Sequence, residues 1–369
     1  MHIGIDARIT YYTRGGISTY TLRLIEALAR LDTVTDYCIL RSRKERKALQ
    51  SEARLRSVSC WTPSHHRLER WALGAEIAWL GLDLLHSPDF IPPAFGYRRS
   101  IITVHDLNFL HFPQFLTTES LHYYNGQIEW ATHRADHILA DSYATKADLI
   151  SMVGVPGDKI AVVHLAADPA YHPVSLEKAG RVVAQYGLEP GYILFVGTLE
   201  PRKNVTGLLQ AYRLLVDAKA ADAKLALVGG KGWLYDEIFE RVETLRLTER
   251  VRFLHNVADI DLPSLYSAAS VVVTPSFYEG FGLPPLEAMA CGTPTVVANR
   301  ASLPEVAGEA GLLVNPDDAG DIAQAITRVL TDKPLRARMR EDGLVQAARF
   351  SWERTAHETL KVYRSVLAK

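Results

Sequence analysis

The sequence predicts two α/β domains, each a parallel sheet wrapped by helices. Three observations lead there. Short β-rich runs alternate with longer helical stretches along all 369 residues. Several runs are apolar without interruption, among them Ile193-Leu194-Phe195-Val196 and Val271-Val272-Val273, the mark of strands covered on both faces. The periodicity breaks at Ala166–Pro173, where two prolines stand close together and Gly180 and Gly187-Leu188-Glu189-Pro190-Gly191 follow. A chain of this length also exceeds one ordinary core.

In the first half the expected strands are His2–Asp6, Tyr37–Arg41, Ser57–Cys60, Leu82–His86, Ile101–His105, His137–Ala140 and Ala161–Leu165. In the second they are Tyr192–Gly197, Lys224–Val228, Val251–Leu254, Val271–Thr274, Thr295–Ala298 and Gly311–Val314. Helical signals fill the gaps. Ser18 is placed to cap a helix carrying Leu24, Leu28 and Leu31 on one face, Asp261 one that starts with Pro263, and Asp321 opens another. Such alternation reads as doubly wound α/β. A hinge at residues 168–175 separates an N-terminal domain, 1–170, from a C-terminal domain, 175–350, and implies a cleft at the carboxyl ends of both sheets. The stretch 351–369 reads as one amphipathic helix, with Trp352, Ala356, Leu360, Tyr363 and Leu367 on a face.

Composition narrows the function. Hydrophobic residues at 48% and charged residues at 22% describe a globular chain. The 41 Lys+Arg and 42 Asp+Glu leave a net charge of -1, which argues against a nucleic-acid partner. Three scattered cysteines, Cys38, Cys60 and Cys291, form no disulfide framework or metal pair and fit a reducing compartment. Met1–Asp6 has no cationic leader, and Glu76 and Asp83 interrupt the most apolar stretch, Trp71–Leu85, so the expected location is cytoplasmic.

The strongest chemical signal follows the strand Val271–Thr274: Pro275-Ser276-Phe277-Tyr278-Glu279-Gly280-Phe281-Gly282-Leu283-Pro284-Pro285-Leu286-Glu287, closing at Gly292. The glycines allow a tight loop, the prolines start a helix, and the amides of Phe281, Gly282, Leu283 and Leu286 stand at its entrance, where free donors and the dipole attract an anion. Glu279 and Glu287 bracket that point and suit hydroxyl groups either side of a phosphate. The pair alone leaves open that Glu287 complements the dipole and Glu279 is a solvated loop acid. A second signal is Gly197-Thr198-Leu199-Glu200-Pro201-Arg202-Lys203-Asn204, where adjacent cations at a strand exit can neutralise a diphosphate without a metal. Gly15-Gly16 precedes the first long helix but lacks a full dinucleotide fingerprint. His105, at a strand's carboxyl end, either donates to a sugar hydroxyl or has a packing role. Asp259-Ile260-Asp261, the His133/His137 pair and Gly229-Gly230-Lys231-Gly232 are set aside as decoys. The basic run Arg41 to Lys47, with Arg54, Arg56, Arg67 and Arg70, is a solvated face or a peripheral contact with an anionic membrane.

Together, Gly15-Gly16, His105-Asp106, Gly197–Asn204, Glu279–Gly292 and Asn299–Gly308 closely resemble the retaining glycosyltransferases of GT-B fold known as group 1 or family 4. The resemblance implies that Glu279, Phe281 and Gly282 hold hydroxyls of the transferred sugar, and that Arg202 and Lys203 neutralise the diphosphate. It implies that Glu287 binds the ribose, that Leu283, Leu286 and the Gly15-Gly16 loop assist around the phosphates, and that His105 sits beside the sugar. It further implies a nucleotide-sugar donor, GDP-mannose foremost and a UDP-sugar as the alternative, a glycan or lipid-linked acceptor, and no metal cofactor. A nucleotide-sugar 2-epimerase on the same fold and a non-catalytic sugar- or nucleotide-binding module are the competing readings.

Overall fold

A computed structural model describes residues 1–12, 15–45, 54–66, 68–115, 118–219, 222–230, 232 and 235–369. Arg46, Lys47 and Arg67 of the basic run, and Lys231, lie outside the described residues. The chain divides into two compact units, one of Met1–Leu165 with Ser351–Lys369, the other Ala166–Phe350. The first boundary falls just ahead of the prolines on which the sequence placed the hinge.

The first unit holds seven strands: β1 (His2–Asp6), β2 (Asp36–Ser42), β3 (Leu55–Cys60), β4 (Leu82–Ser87), β5 (Tyr97–Val104), β6 (His137–Ala140) and β7 (Ile160–Val162). Their order is β3-β2-β1-β4-β5-β6-β7, all parallel. The second unit holds six: β8 (Ile193–Val196), β9 (Leu225–Val228), β10 (Val251–Leu254), β11 (Val271–Thr274), β12 (Thr295–Ala298) and β13 (Leu312–Val314). Their order is β10-β9-β8-β11-β12-β13, again parallel. Each is a Rossmann-like doubly wound sheet. The strand order reverses between β1 and β4 in one and between β8 and β11 in the other, and ligands of such sheets bind beyond the carboxyl ends at that point.

The uninterrupted apolar runs serve two cores at once. In the second unit Ile193, Phe195, Leu227 and Val273 pack with Leu208, Leu209, Ile326 and Val329 on one face. Leu194, Ala226 and Val272 pack with Ala179, Val183, Leu265 and Tyr266 on the other. The two-residue period of a strand sorts them, so every position must be apolar.

Residues 351–369 belong to the first unit. Ser351 caps the helix Trp352–Leu367, its hydroxyl accepting the Arg354 N–H. Trp352, Ala356, Leu360 and Tyr363 are buried as expected, whereas Val366 takes the place foreseen for Leu367. The helix packs against Gly16–Leu31 and is fixed by polar contacts: the Thr355 hydroxyl donates to the His164 carbonyl at 2.7 Å. The Tyr363 hydroxyl is hydrogen-bonded to His86 Nδ1 at 2.6 Å, His86 Nε2 to the Thr103 hydroxyl at 2.8 Å, and that hydroxyl to Tyr20 at 2.9 Å. Burial, with His105 nearby, pushes His86 down to about 3, so this chain of groups is neutral.

Three helix starts differ from expectation. The first long helix begins at Gly16 with extended Gly15 as its cap, so Ser18 is buried in the first turn. Asp261 occupies a cap position but its carboxylate accepts the Tyr186 hydroxyl at 2.7 Å. Asp318, not Asp321, caps Ala319–Thr331, accepting the N–H groups of Gly320 and Asp321.

The exits of β8 and β9 touch. Gly197 (φ 156°) donates its N–H to the Val228 carbonyl at 2.9 Å, and a Cβ on Gly229 (φ 155°) would lie 1.9 Å from the Gly197 carbonyl oxygen. Gly229→Ala must therefore move backbone. It is expected to cost about 3 kcal/mol or more, read as a lowered midpoint of the second unit's thermal unfolding, while Gly15→Ala, with open space around it, leaves the midpoint unchanged.

Candidate functional site

Two loops meet at the switch point of the second sheet. The loop leaving β8 runs from Gly197 through a short 3-10 turn, Pro201–Lys203, to Asn204. Asn204 adopts a left-handed conformation (φ 54°), which turns the chain into the helix Val205–Asp217. Its side-chain oxygen caps that helix at Gly207. Its amide nitrogen donates to the carbonyls of Pro275 (3.1 Å) and Pro316 (2.7 Å), tying the β8 exit to those of β11 and β13. The Phe277 N–H donates to the Arg202 carbonyl at 2.9 Å and the Leu199 N–H to that of Gly230 at 3.0 Å. Gly229 and Gly230, set aside as a decoy on sequence, thus brace the cationic loop.

This bracing brings Arg202, Lys203 and Glu279 into contact. Lys203 Nζ donates to both Glu279 oxygens, at 2.6 and 2.8 Å. Arg202 Nη1 donates to Glu279 Oε2 at 2.9 Å and to the Tyr278 carbonyl at 3.1 Å, and its Nη2 pairs with Glu200 at 2.6 Å. The Ser276 hydroxyl donates to Glu279 Oε1 at 2.7 Å. Ser302 clamps the loop from behind, its hydroxyl reaching the carbonyls of Glu279 (2.7 Å) and Phe281 (2.6 Å). Glu279 and Lys203 are both buried.

The electrostatics of the cluster are asymmetric. Burial would raise the Glu279 carboxyl, but the charges of Lys203 and Arg202 outweigh it and hold the group at about 2. Burial presses the Lys203 ammonium below its ordinary value, only partly offset by Glu279, because Arg202 repels it and shares the same carboxylate. The expectation of Glu279 as a solvated loop acid is excluded. As a sugar ligand it begins fully engaged, since an ionised carboxylate has about four acceptor sites and all are in use.

Downstream, Gly282 (φ 114°) ends the loop and the helix Leu283–Ala290 begins, with Pro284 and Pro285 in its first turn. The Leu286 N–H, expected at the helix entrance, reaches back to the Gly282 carbonyl at 3.4 Å, a long helical bond. The Phe281 ring is buried against Phe350, centroids 5.8 Å apart. Glu287 accepts the Tyr266 hydroxyl at 2.8 Å. Burial pushes its carboxyl up to about 7, against hydrogen bonds from Tyr266 and Tyr171 and helped by the charges of Asp168 and Asp259.

Gly15, Gly16 and His105 belong to the first unit. Gly15 and Gly16 stand at the N-terminus of the helix Gly16–Leu31. His105 lies just past β5, with Nδ1 on Asp141 at 2.6 Å and Nε2 on the Pro88 carbonyl at 2.7 Å. Burial lowers its affinity for a proton, yet Asp141, Asp89 and the Pro88 carbonyl together raise it to about 9. Both ring nitrogens are occupied. Among the described residues no group of three or more His, Cys, Asp or Glu is arranged to hold a metal ion.

The sequence alone assigns no role to Glu200, Asn204, Ser276 and Ser302. A carboxylate three residues from a serine in a loop, and an asparagine opening a helix, were the available signals. Tyr171, Tyr266 and Asp141 gave none, being distant in sequence from the groups they contact.

Two Rossmann-like units with a buried carboxylate–cation cluster at a switch point define an α/β protein of the GT-B class. Comparison with known proteins sharpens this. The family model "Glycosyl transferases group 1" matches residues 181–346 and "Glycosyltransferase Family 4" matches residues 14–171. O-antigen chain mannosyltransferase B of Escherichia coli is 38% identical over 301 residues, 81% of this chain and 78% of that protein. Among solved structures, sucrose-phosphate synthase from Thermosynechococcus elongatus shares the fold, with TM-score 0.80 and 24% identity over 100% of this chain and 99% of the other. So does HepE from Anabaena, solved with UDP and glucose, with TM-score 0.77 and 18% identity over 98% and 99%. The chain belongs to the group 1 / family 4 glycosyltransferases and is a hexosyltransferase.

The cluster predicts a non-additive stability cycle. Lys203→Met, which strands part of a buried carboxylate's charge, should destabilise the second unit by about 3 kcal/mol. Lys203→Met with Glu279→Met should cost clearly less than the two single changes summed; an additive result in urea unfolding would show that the groups do not interact. Because Glu279 lies at about 2 in the folded chain and near 4.5 when unfolded, the unfolded state takes up the proton first, so the advantage of wild type over Glu279→Gln should shrink as pH falls between those values.

Proposed function

We propose that the chain transfers a hexosyl unit, mannosyl from GDP-mannose, to a glycan or glycolipid acceptor in cell-surface polysaccharide synthesis, with retention of configuration and without a metal ion. The observation that carries this reading is the carboxylate of Glu279 held between Arg202 and Lys203 beside the entrance of the helix Leu283–Ala290. The choice of mannose is supported by the likeness to a protein named O-antigen chain mannosyltransferase B.

Without donor, Arg202 and Lys203 are balanced by Glu200 and Glu279. A nucleotide-sugar diphosphate carries about two negative charges and competes for the same cations. As Lys203 turns to the diphosphate, it releases acceptor sites on Glu279, which then take hydroxyls of the sugar. Donor binding thus exchanges one set of charge-assisted hydrogen bonds for two, and the buried cations never lack a partner. In the reaction the bond between the anomeric carbon and the diphosphate oxygen breaks, its electron pair leaving on the diphosphate, where Arg202 and Lys203 stabilise the growing charge. The acceptor hydroxyl oxygen forms the new bond on the same face and its proton passes to the departing phosphate. Glu287, ionised, accepts the ribose hydroxyls in addition to Tyr266.

Glu279→Ala should abolish transfer yet leave GDP binding intact, while the double change Arg202→Ala/Lys203→Ala should weaken GDP binding by more than the ~1 kcal/mol of an exposed ion pair. Chelator should leave the wild-type rate unchanged. Loss of activity with chelator, or release of an epimerised sugar and free nucleotide without any acceptor, would replace this reading. Since burial pushes the Glu287 carboxyl up to about 7 and hydroxyls bond more strongly to its ionised form, GDP-mannose affinity measured by calorimetry should rise as pH rises through that value. In Glu287→Gln the affinity should be weaker and flat with pH.

A further inference from the structure

An open hollow of about 470 Å³ lies at the amino ends of the second unit's strands. Gly191, Ser270 and Pro294 in its lining stand just ahead of β8, β11 and β12, whereas Arg202, Lys203 and Glu279 follow the carboxyl ends of β8 and β11. Because the strands are parallel, these two sets occupy opposite edges of the sheet. The hollow is therefore separate from the cationic loop. Its walls are largely apolar: Ala268 and Pro294 are buried, and Leu176, which starts the helix Leu176–Ala184, is 63% exposed.

Three cations line the same space. Lys333, Arg336 and Arg340 stand on the helix Lys333–Ala347 at spacings of three and four, which puts them on one face. Like charges so spaced repel one another, and Lys333 in the first turn also opposes the helix dipole. No carboxylate lines the hollow, and among the described residues none of the three cations forms an ion pair. Asp332, their neighbour in the chain, caps the helix instead, accepting the Leu335 N–H at 2.9 Å. Arg336 is half-buried and anchored, its Nη1 donating to the Leu330 carbonyl at 3.2 Å. Arg340 lies against Gly292 (φ 71°), where a Cβ would stand 3.3 Å from the guanidinium carbon. The helix is thus held so that a stripe of unneutralised charge faces an apolar-walled space.

We propose that this hollow binds a phosphate monoester with a compact apolar body, the phosphate on Lys333, Arg336 and Arg340 and the body against Leu176, Ala268 and Pro294. Near neutral pH such a group carries about −1.5 to −2 charge and offers three strong acceptor oxygens, a fit to cations presented from one helix face. Guanidinium groups grip phosphate oxygens with paired hydrogen bonds, and the ammonium adds a point charge. The space is of small-molecule size and exceeds what a phosphate alone fills. Its apolar walls would leave the hydroxyls of a sugar body without partners. A bound dianion ends the repulsion along the helix, so the second unit gains stability on binding. The inference holds whatever donor the enzyme uses.

Calorimetry of the full chain with phenyl phosphate tests it, with inorganic phosphate and benzyl alcohol standing for the two halves of the ligand. Phenyl phosphate should bind at a single site, more tightly than phosphate, and should raise the second unit's thermal midpoint. Benzyl alcohol should not bind. Arg336→Gln and Arg340→Gln should each weaken phenyl phosphate by on the order of ten-fold. Arg338→Gln, exposed on the same helix but two positions from either, should leave affinity unchanged, since residues two apart do not share a face. Without ligand all three variants should keep the wild-type circular dichroism and rate of transfer, which separates this site from the catalytic one. Excess GDP or UDP should not displace phenyl phosphate. Displacement would put the ligand in the donor site, and equal weakening in Arg338→Gln would reduce the effect to diffuse charge; either overturns the proposal. So would phenyl phosphate binding no more tightly than phosphate, or not binding at millimolar concentration.

Discussion

A carboxylate buried with two cations governs the second unit. Glu279, Lys203 and Arg202 are removed from most of their water, and a charge so placed is tolerable only if its partners are close and correctly aimed. The surrounding loops supply that aim. Asn204 ties three strand exits together, Ser276 takes a carboxylate oxygen, and Ser302 fixes the backbone carrying Glu279. Asn204 and Ser302 join segments far apart in sequence, so the cluster forms only when the sheet has formed. The loop that binds charge is also the loop that completes the fold.

The sheet explains why those loops meet. β8 and β11 are neighbours although two strands and their helices intervene in the chain, and the exits of β8 and β11 diverge from the point where the winding reverses. A residue pair 76 positions apart is thereby placed at hydrogen-bond distance. The first unit repeats the winding with different contents. There His105 is charged against Asp141, whereas His86, fully buried between Tyr363 and Thr103, is stripped of its proton and spent on structure. Two histidines at the exits of adjacent strands thus carry opposite protonation states, decided by whether a carboxylate is within reach.

Much of the architecture was legible in the sequence because parallel strands covered on both faces leave an unmistakable apolar run. All thirteen expected runs are strands, displaced by a few residues at most. Helix starts were less legible: Ser18, Asp261 and Asp321 each looked like a cap, and each was claimed by a different contact or shifted by a turn. At the site, the spacing of Glu279 and Glu287 and the Arg202-Lys203 pair could be seen, but not that Glu279 would face the cations rather than stand apart from them. That depends on the register of two loops, which local pattern does not encode. Asn204 and Ser302 were visible letters without a visible partner.

The helix Trp352–Leu367 lies against Gly16–Leu31 and reaches His86 through Tyr363. It follows all of the second unit in the chain. A ribosome therefore emits the first seven strands, then an entire second body, before it delivers the piece that seals the opening interior. Until then Tyr20, Thr103 and His86 face an unfilled slot. The nascent chain must wait in a half-finished state whose apolar gap invites chaperones or wrong partners, so the order of synthesis and the order of assembly are at odds in this molecule.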